Sequence, residues 1–219
     1  MAVTGNPSIQ LDIYSDVICP WCYVGKARLD EALKSLDSKL NVQTSWKPFE
    51  LNPNMPTEGA DRKEYMAKKF GSSDMSAMHN RLSTAGAENG VKFNFAAMTR
   101  VPNTFKAHRL IWFAGTQGKQ HALSEILFRK YFYDGADIGD TEVLVSTAEE
   151  AGLSAQSTRD FLNSEAGIDE VRKEEKEGRL MGISAVPTFI LNGEIIASGA
   201  IPPQELVGLI ESAASALAK

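Results

Sequence analysis

The spacing of apolar residues divides the start of the chain into a strand, a helix and a second strand. Ile9, Leu11 and Ile13 alternate with polar neighbours, which is the two-residue period of a β-strand. Residues 29–40 repeat leucine every three or four positions, a pattern that predicts an amphipathic helix. Residues 42–51 carry β-branched and aromatic residues in rough alternation and predict a second strand. A strand, helix and strand in this order predict a right-handed βαβ unit.

Between about residues 57 and 166 the strand pattern largely disappears and helical patterns replace it. The boundaries of these helices are read from capping residues at their starts and from glycines at their ends. The predicted helices cover residues 62–70, a segment opened by Ser73 or Asp74 and closed at Gly90, residues 103–118, residues 119–133, a segment capped by Asp140 that ends at Gly152, and a segment opened by Ser154 or Ser157. A helical block of this size between two segments that contain strands predicts an insertion folded over one edge of the sheet.

The last fifty residues mix helical and strand patterns again. Residues 169–179 form a charge-dense helix with few apolar positions, which is typical of a solvated face with ion pairs and predicts no chemistry. Two short apolar strands, residues 188–191 and 194–197, flank Asn192-Gly193, a dipeptide that favours the type I′ hairpin turn. A pair of prolines then begins a final amphipathic helix. The predicted order is βαβ, helical insertion, αββα.

The two cysteines of the chain, Cys19 and Cys22, lie three positions apart between the first strand and the first helix. Pro20 falls near the first helical position, where its missing N–H costs nothing. Unpaired backbone N–H groups and the positive end of the helix dipole favour a thiolate at Cys19. Cys22 lies about one turn deeper, within reach of a mixed disulfide formed at Cys19. The pair therefore predicts a redox site with a nucleophilic and a resolving cysteine.

The cysteine pair is also compatible with a metal site or with simple burial. Two thiolates at this spacing are half of a structural zinc site, but the sequence has no second cysteine pair, and His79, His108 and His121 lack the spacing of zinc ligands. We therefore expect no metal. Two buried cysteines without a role are the simplest alternative, but burial alone does not account for the proline and tryptophan between them.

Four segments together resemble the FrnE-like branch of the DsbA family of thioredoxin-fold oxidoreductases. They are SDVICPWCYVGK (residues 15–26), WKPFELNP (46–53), NTFKAH (103–108) and AVPTF (185–189). The resemblance implies an α/β thioredoxin fold with a large all-helical insertion. In that organisation residues 1–56 and 167–219 form a thioredoxin-like domain, and residues 57–166 form the inserted helical domain.

The resemblance also implies roles for residues around the cysteines. In thioredoxin-fold enzymes the proline that matches Pro187 is cis and lies against the C-x-x-C, and the residue before it, here Val186, pairs with the substrate backbone. Pro20 and Trp21, between the cysteines, would help to position the substrate. The matched segments further suggest a substrate or glutathione pocket, with the candidate residues Asn52, Asn103 and His108. His108 is also a candidate proton relay, although a single histidine on an apolar helix face is more often simply packed.

The sequence is compatible with three functions. The first is a thiol-disulfide oxidoreductase in which Cys19 attacks and Cys22 resolves, acting on protein or small-molecule thiols and disulfides. The second is a glutathione-dependent isomerase or transferase of the kappa-class type, whose members typically have serine where this chain has Cys19. The third is a holdase-like chaperone or binding module. Glutathione is the one small molecule expected, as a redox partner or cosubstrate, and no other cofactor is predicted.

The composition of the chain limits the classes of partner and the cellular compartment that we expect. The chain has 43% hydrophobic residues, 23% charged residues and a net charge of −5, without a basic stripe that would indicate nucleic acid. It shows neither a secretory signal near its N-terminus nor an apolar run long enough to span a membrane. We therefore expect a cytoplasmic protein, in which a C-x-x-C is more often catalytic than structural. Both a monomer and a homodimer are compatible with the sequence.

Overall fold

The computed structural model describes residues 8–36, 40–71 and 74–217. The predictions that concern the first seven residues, and Ser73 as a helix start, lie outside the described residues. The strands are β1 (Ser8–Ser15), β2 (Asn41–Pro48), β3 (Ala60–Asp61), β4 (Arg100–Val101), β5 (Thr188–Leu191) and β6 (Glu194–Ser198). The helices are α1 (Pro20–Leu36), α2 (Arg62–Phe70), α3 (Ser76–Ala87), α4 (Phe105–Gly115), α5 (Gln120–Phe132), α6 (Thr141–Glu150), α7 (Ala155–Asn163), α8 (Ile168–Leu180) and α9 (Pro203–Leu217).

The main sheet has the strand order β2-β1-β5-β6. Strands β1 and β2 are parallel and are connected through α1, while β1 with β5 and β5 with β6 are antiparallel. The predicted βαβ start and αββα end are thus confirmed. Asn192 and Gly193 both have positive φ angles, 48° and 89°, as the type I′ hairpin turn requires.

The segment between β2 and α8 is not purely helical, so the prediction of an all-helical insertion was wrong in one detail. Strands β3 and β4 form a two-residue antiparallel ladder in which Ala60 pairs with Val101 and Asp61 with Arg100. A ladder this short has no alternating pattern that a sequence could reveal. Its consequence is local, since it ties the start of α2 to the segment that precedes α4. The domain boundaries at residues 56 and 167 stay predictions.

Three helices of the inserted segment, α2, α6 and α7, begin at a residue whose side chain caps the helix. Asp140 accepts hydrogen bonds from Glu142 N and Val143 N at the start of α6, as predicted. Of the two predicted starts for α7, Ser154 is the cap, because its hydroxyl accepts a hydrogen bond from the backbone N–H of Ser157. These caps satisfy backbone N–H groups that have no partner within the helix.

The buried Arg109 of α4 fixes the end of α7. Its side chain is only 4% exposed, and its guanidinium donates hydrogen bonds to backbone carbonyls of Phe161, Leu162, Ser164 and Ala166. Carbonyls at a helix C-terminus lack partners within the helix, and a guanidinium with five N–H groups can satisfy several of them at once. Helix α7 is therefore held to α4 by polar contacts as well as by apolar packing.

Helix α8 differs most from its prediction. The sequence predicts a solvated, charge-dense helix, but Val171, Glu175 and Gly178 are buried. These residues recur at four- and three-residue spacing and therefore share one face. Gly178 lies against the ring of Tyr14 on β1, so that a Cβ atom at this position would overlap the ring. The absence of a side chain at Gly178 allows α8 to pack closely against the sheet.

We predict that Gly178→Ala lowers the free energy of unfolding by about 1–3 kcal/mol, the usual cost of overpacking a close contact. Tyr14 is 4% exposed, and its hydroxyl donates to the carbonyl oxygen of Glu174, so the ring has little room to move. The matched control is Gly208→Ala in α9, where an added Cβ meets no atom within 4 Å. There the change should stabilise by about 0.5–1 kcal/mol through helix propensity. Urea unfolding of both variants checks this, and a stabilised Gly178→Ala protein would contradict the close packing.

Candidate active site

The cysteine pair lies where β1 gives way to α1. Strand β1 ends at Ser15, and the backbone N–H of Cys19 donates to the carbonyl oxygen of Asp16 at 2.9 Å, which closes a tight turn. The carbonyl of Cys19 then accepts hydrogen bonds from the N–H groups of Cys22 and Tyr23. Cys19 therefore occupies the cap position of α1, and Pro20 is the first helical residue, as predicted.

The two cysteines are close but have different environments. Both are free thiols and they lie 3.5 Å apart. Cys19 is 6% exposed, whereas Cys22 is fully buried. Burial raises the pKa of Cys22 well above its ordinary value, and the neighbouring Cys19 raises it further, while the nearby Ser15 hydroxyl opposes them. Cys22 is therefore a protonated thiol at neutral pH.

The predicted partner loop lies directly against Cys19. The Val186–Pro187 peptide bond is cis, which confirms that prediction. The thiol of Cys19 donates to the carbonyl oxygen of Val186 at a sulfur–oxygen distance of 3.6 Å. Gly25 of α1, which no sequence pattern indicated, lies where a Cβ atom would come within 2.8 Å of the Pro187 ring. The absence of a side chain there lets α1 approach the proline.

The outer side of the pair is partly apolar. Trp21 points away from the core with 37% of its surface exposed, and Leu51 is exposed to the same extent. Val186 is 8% exposed beside Cys19. Trp21 and Val186 thus border the cysteine pair, and their role in positioning a substrate stays a prediction.

A cleft of about 710 Å³ extends from Leu51 to helix α2. Its polar lining includes Asn52, Tyr65, Lys68 and Lys69. The side-chain oxygen of Asn52 accepts hydrogen bonds from the hydroxyl of Tyr65 and from the ammonium group of Lys69, and Lys69 also donates to Tyr65. The cleft therefore presents amide, phenol and ammonium groups together.

The other two predicted pocket residues do not line this cleft. Asn103 lies behind its wall, where its amide donates to the carbonyl of Met55 at 2.7 Å and its oxygen accepts from the N–H of Phe105 at 3.0 Å. His108 lies on the inner side of the cysteine turn and is 3% exposed. Its Nε2 atom lies 3.5 Å from Oδ1 of Asp16. Of the three predicted residues, Asn52 alone faces the cleft.

Asp16 connects the cleft, the cysteine turn and His108. It is fully buried, and its carboxylate accepts hydrogen bonds from the N–H groups of Ile18 and Leu51, the latter at 2.7 Å. Burial alone would lower the pKa of His108, but Asp16, with Glu50 and Glu175, outweighs it and raises the pKa above its ordinary value. His108 is therefore drawn toward its charged form by the acids around it.

Glu50 and Glu175, which were not predicted from the sequence, are also buried here, with exposures of 2% and 5%. Arg172 donates to both carboxylates. Burial raises the pKa of Glu50 to about 7, with a further rise from Glu175 that Arg172 opposes. The helical spacing of Val171, Glu175 and Gly178 is the signal that could have placed Glu175 inside. No comparable pattern marks Glu50.

Metal ligation and membrane insertion find no support in the part of the chain that the structure describes. In those residues no group of three or more histidine, cysteine or acidic side chains is arranged to hold a metal ion. No helix within the described ranges is long and apolar enough to cross a membrane.

Comparisons with known proteins agree with this architecture. A family model described as a DSBA-like thioredoxin domain matches residues 10–211. The uncharacterized protein YwbO of Bacillus subtilis (strain 168) is 32% identical over 194 residues, which cover 88% of this chain and 92% of YwbO. The crystal structure of the probable DsbA oxidoreductase SCO1869 from Streptomyces coelicolor is similar with a TM-score of 0.84 at 32% identity, covering 94% of this chain and 89% of SCO1869.

A more distant structure shares the fold alone. It is the cytosolic disulfide reductase DsbM from Pseudomonas aeruginosa with GSH, which has a TM-score of 0.63 at 16% identity and covers 95% of this chain and 96% of DsbM. The family match spans most of the chain, including both cysteines and the cis-proline loop. The chain therefore belongs to the family of DSBA-like thioredoxin domains and is an enzyme of the disulfide oxidoreductase or isomerase type.

Proposed function

We propose that the protein is a thiol-disulfide oxidoreductase in which Cys19 is the nucleophile and Cys22 resolves the mixed disulfide. One observation carries this proposal, namely two thiols 3.5 Å apart at the start of α1, of which one adjoins the Val186 carbonyl and the other is fully buried. The cysteine that attacks and the cysteine that resolves are thus distinguished by their surroundings.

The reaction follows from this asymmetry. The Cys19 thiolate attacks one sulfur of a substrate disulfide, a bond forms between Cys19 and that sulfur, and the other substrate sulfur leaves as a thiolate. Cys22 loses its proton and attacks the sulfur of Cys19, and the second substrate sulfur leaves in turn. The products are a substrate dithiol and the Cys19–Cys22 disulfide. Run in reverse, the same steps oxidise a substrate dithiol.

The surroundings of Cys19 suit an extended polypeptide. Trp21 offers exposed apolar surface between the cysteines, and Leu51, whose N–H donates to Asp16 of the cysteine turn, is exposed to the same extent. The Val186 carbonyl lies within reach of a sulfur bound to Cys19. Burying an apolar side chain that flanks the substrate cysteine against this surface contributes up to about 1.5–3 kcal/mol. We propose the cytoplasm as the compartment, where glutathione and partner proteins exchange electrons with such a pair.

The cleft beside Leu51 favours glutathione as a second reactant. Glutathione carries two carboxylates, and the cleft presents Lys68, Lys69 and the hydroxyl of Tyr65 next to Asn52. Charge-assisted hydrogen bonds of this kind contribute more than neutral ones. Glutathione could therefore reduce or oxidise the cysteine pair, or serve the isomerase or transferase alternative. The retained thiol at position 19 supports the redox role over that alternative, and the holdase function stays a prediction.

We predict that Cys19→Ser lowers the rate of insulin disulfide reduction by about 1,000-fold or more, the order of loss when a nucleophile is removed. Cys22→Ser should instead accumulate a mixed disulfide between Cys19 and the substrate, because the resolving thiol is gone. Turnover measurements and intact-mass spectrometry report the two outcomes separately. Comparable turnover by the Cys19→Ser and wild-type proteins would rule out the proposed nucleophile.

We predict that Lys69→Met weakens glutathione binding about tenfold, which corresponds to the loss of one charge-assisted hydrogen bond. Isothermal titration of glutathione into a Cys19→Ser background measures binding without thiol exchange. Lys63→Met is the matched control, since Lys63 is an exposed lysine of the same helix that does not line the cleft. An equal loss in both variants, or no saturable binding to either, would remove glutathione from this cleft.

A further inference from the structure

Four buried titratable side chains lie together behind the cysteine turn and have no part in the thiol chemistry above. They are Asp16, Glu50, His108 and Glu175, with exposures of 0%, 2%, 3% and 5%. The cluster includes polar atoms that lack a hydrogen-bond partner: Nε2 of His108, Oε1 of Glu50 and Oε1 of Glu175. Burying charges and leaving polar atoms unpaired costs free energy. Such a cluster calls for a functional account.

Cys22 requires a proton donor when the disulfide opens, and this cluster contains one. When the disulfide opens, Cys22 becomes a thiolate in a fully buried site, and burial holds its pKa high. It must therefore take up a proton without direct contact with solvent. The same proton must leave again when the disulfide closes.

Ser15 provides the connection between Cys22 and the cluster. Ser15 is 5% exposed, its hydroxyl oxygen has no hydrogen-bond partner among the described residues, and it lies close enough to Cys22 to lower the pKa of that thiol. Ser15 and His108 both line a cavity of about 10 Å³, which is room for one water molecule. Ser124 lines the same cavity from α5. A hydroxyl can accept and donate a proton in one step, so a short path joins Cys22 to His108.

We propose that His108, held by Asp16, stores the proton that Cys22 takes up and returns as the Cys19–Cys22 disulfide opens and closes, with Ser15 and the cavity as the path. The inference rests on the proposed redox function of the pair and assigns His108 a positioning role, because it acts on the reacting sulfur through Ser15.

The proposed step balances when dithiothreitol is the reductant. One thiolate of dithiothreitol attacks Cys19, a bond forms between these sulfurs, and the Cys19–Cys22 bond breaks with its electron pair on Cys22. Cys22 takes the hydroxyl proton of Ser15, which is replaced through the cavity by a proton from the imidazolium of His108. Neutral imidazole remains. The second thiol of dithiothreitol then loses its proton to solvent and attacks the first dithiothreitol sulfur, so that the cyclic disulfide forms and Cys19 leaves as a thiolate.

The charged groups around His108 favour its protonated form. Asp16 faces it from the cysteine turn, Glu50 from the segment after β2, and Glu175 and Arg172 from α8. Across the cavity Lys47 of β2 pairs with Glu174 of α8. Asp16, Glu50 and Glu175 raise the pKa of His108 against the effect of burial. The imidazolium is therefore the form present below this raised pKa, and it can donate a proton there.

The test compares rates of disulfide reduction by dithiothreitol in the wild-type and His108→Gln proteins, from about pH 5.5 to about pH 8.5, a range that brackets the ordinary histidine pKa. Fluorescence of Trp21, between the cysteines, reports the reaction. The wild-type rate should exceed the variant rate by about tenfold or more at low pH, as for loss of a proton donor, and the ratio should fall toward one as His108 deprotonates. Glu50→Gln should move this transition to lower pH, because it removes a negative charge that favours the imidazolium.

Two further variants separate proton transfer from damage to the fold. His79→Gln alters a partly exposed histidine of α3 stacked on Phe95, and it should match the wild type at every pH. Ser15→Ala keeps the charges of the cluster and should lower the low-pH rate, so the proposal stays testable if His108→Gln does not fold. A pH-independent rate ratio for His108→Gln, or an unchanged rate for Ser15→Ala, would overturn the inference. The insulin reduction assay tests the thiol chemistry itself. A failure of the proposed redox function would therefore be detected independently of the results for His108 and Ser15.

Discussion

The carboxylate of Asp16 is the interaction on which the site depends. It is fully buried and binds the N–H groups of Ile18 and Leu51, while the carbonyl of the same residue accepts from the N–H of Cys19. Asp16 thereby holds together the end of β1, the cysteine turn and the segment after β2. Burying a carboxylate is expensive unless it is hydrogen-bonded or paired, and Nε2 of His108 lies 3.5 Å from its Oδ1 atom. The position of Cys19 at the start of α1 is thus a consequence of how one acid is satisfied.

This arrangement gives the cysteine pair an inner and an outer side. The outer side carries Trp21 and Leu51, and the cleft with Asn52 opens beside it. The inner side is closed and carries Ser15 and the buried acids. Substrate sulfur can approach from the outer side, whereas protons can be exchanged on the inner side. In the proposed mechanism, substrate sulfur and protons therefore reach the cysteine turn from different sides.

Much of this architecture could be predicted from the sequence, because it depends on local signals. The C-x-x-C at a strand-to-helix junction, the Asn192-Gly193 hairpin and the cap at Asp140 are each specified by a few adjacent residues, and all are present. The position of Pro187 against the cysteines was predicted from the family resemblance, since no local sequence signal indicates which turn this proline contacts. Membership in the FrnE-like branch stays a prediction. Local patterns and family motifs together were sufficient for the fold and the thiols.

What the sequence did not reveal depends on contacts between distant segments. Glu50 and Glu175 are separated by more than a hundred positions, and only packing of α8 on the sheet brings them together around Arg172. Their charges suggested solvent exposure, because acidic residues are rarely buried unless paired. The two-residue ladder of β3 and β4 was missed for a related reason, since its pairing partners lie about forty residues apart. The start of α7 was resolved only by hydrogen-bond geometry, whereas α3 begins after Met75, which makes no side-chain capping hydrogen bond.

The cleft and the thiols are carried by different segments of the chain, which bears on how such proteins diversify. Its floor comes from the segment that follows β2, but its cationic groups, Lys68 and Lys69, come from α2 of the inserted segment. The thiols, by contrast, lie on α1, which belongs to the βαβ frame. With glutathione assigned to this cleft as proposed, replacing α2 would change which small molecule binds there, while the two cysteines would keep their surroundings. An ancestral scaffold with this division could acquire new cosubstrates by altering one peripheral helix.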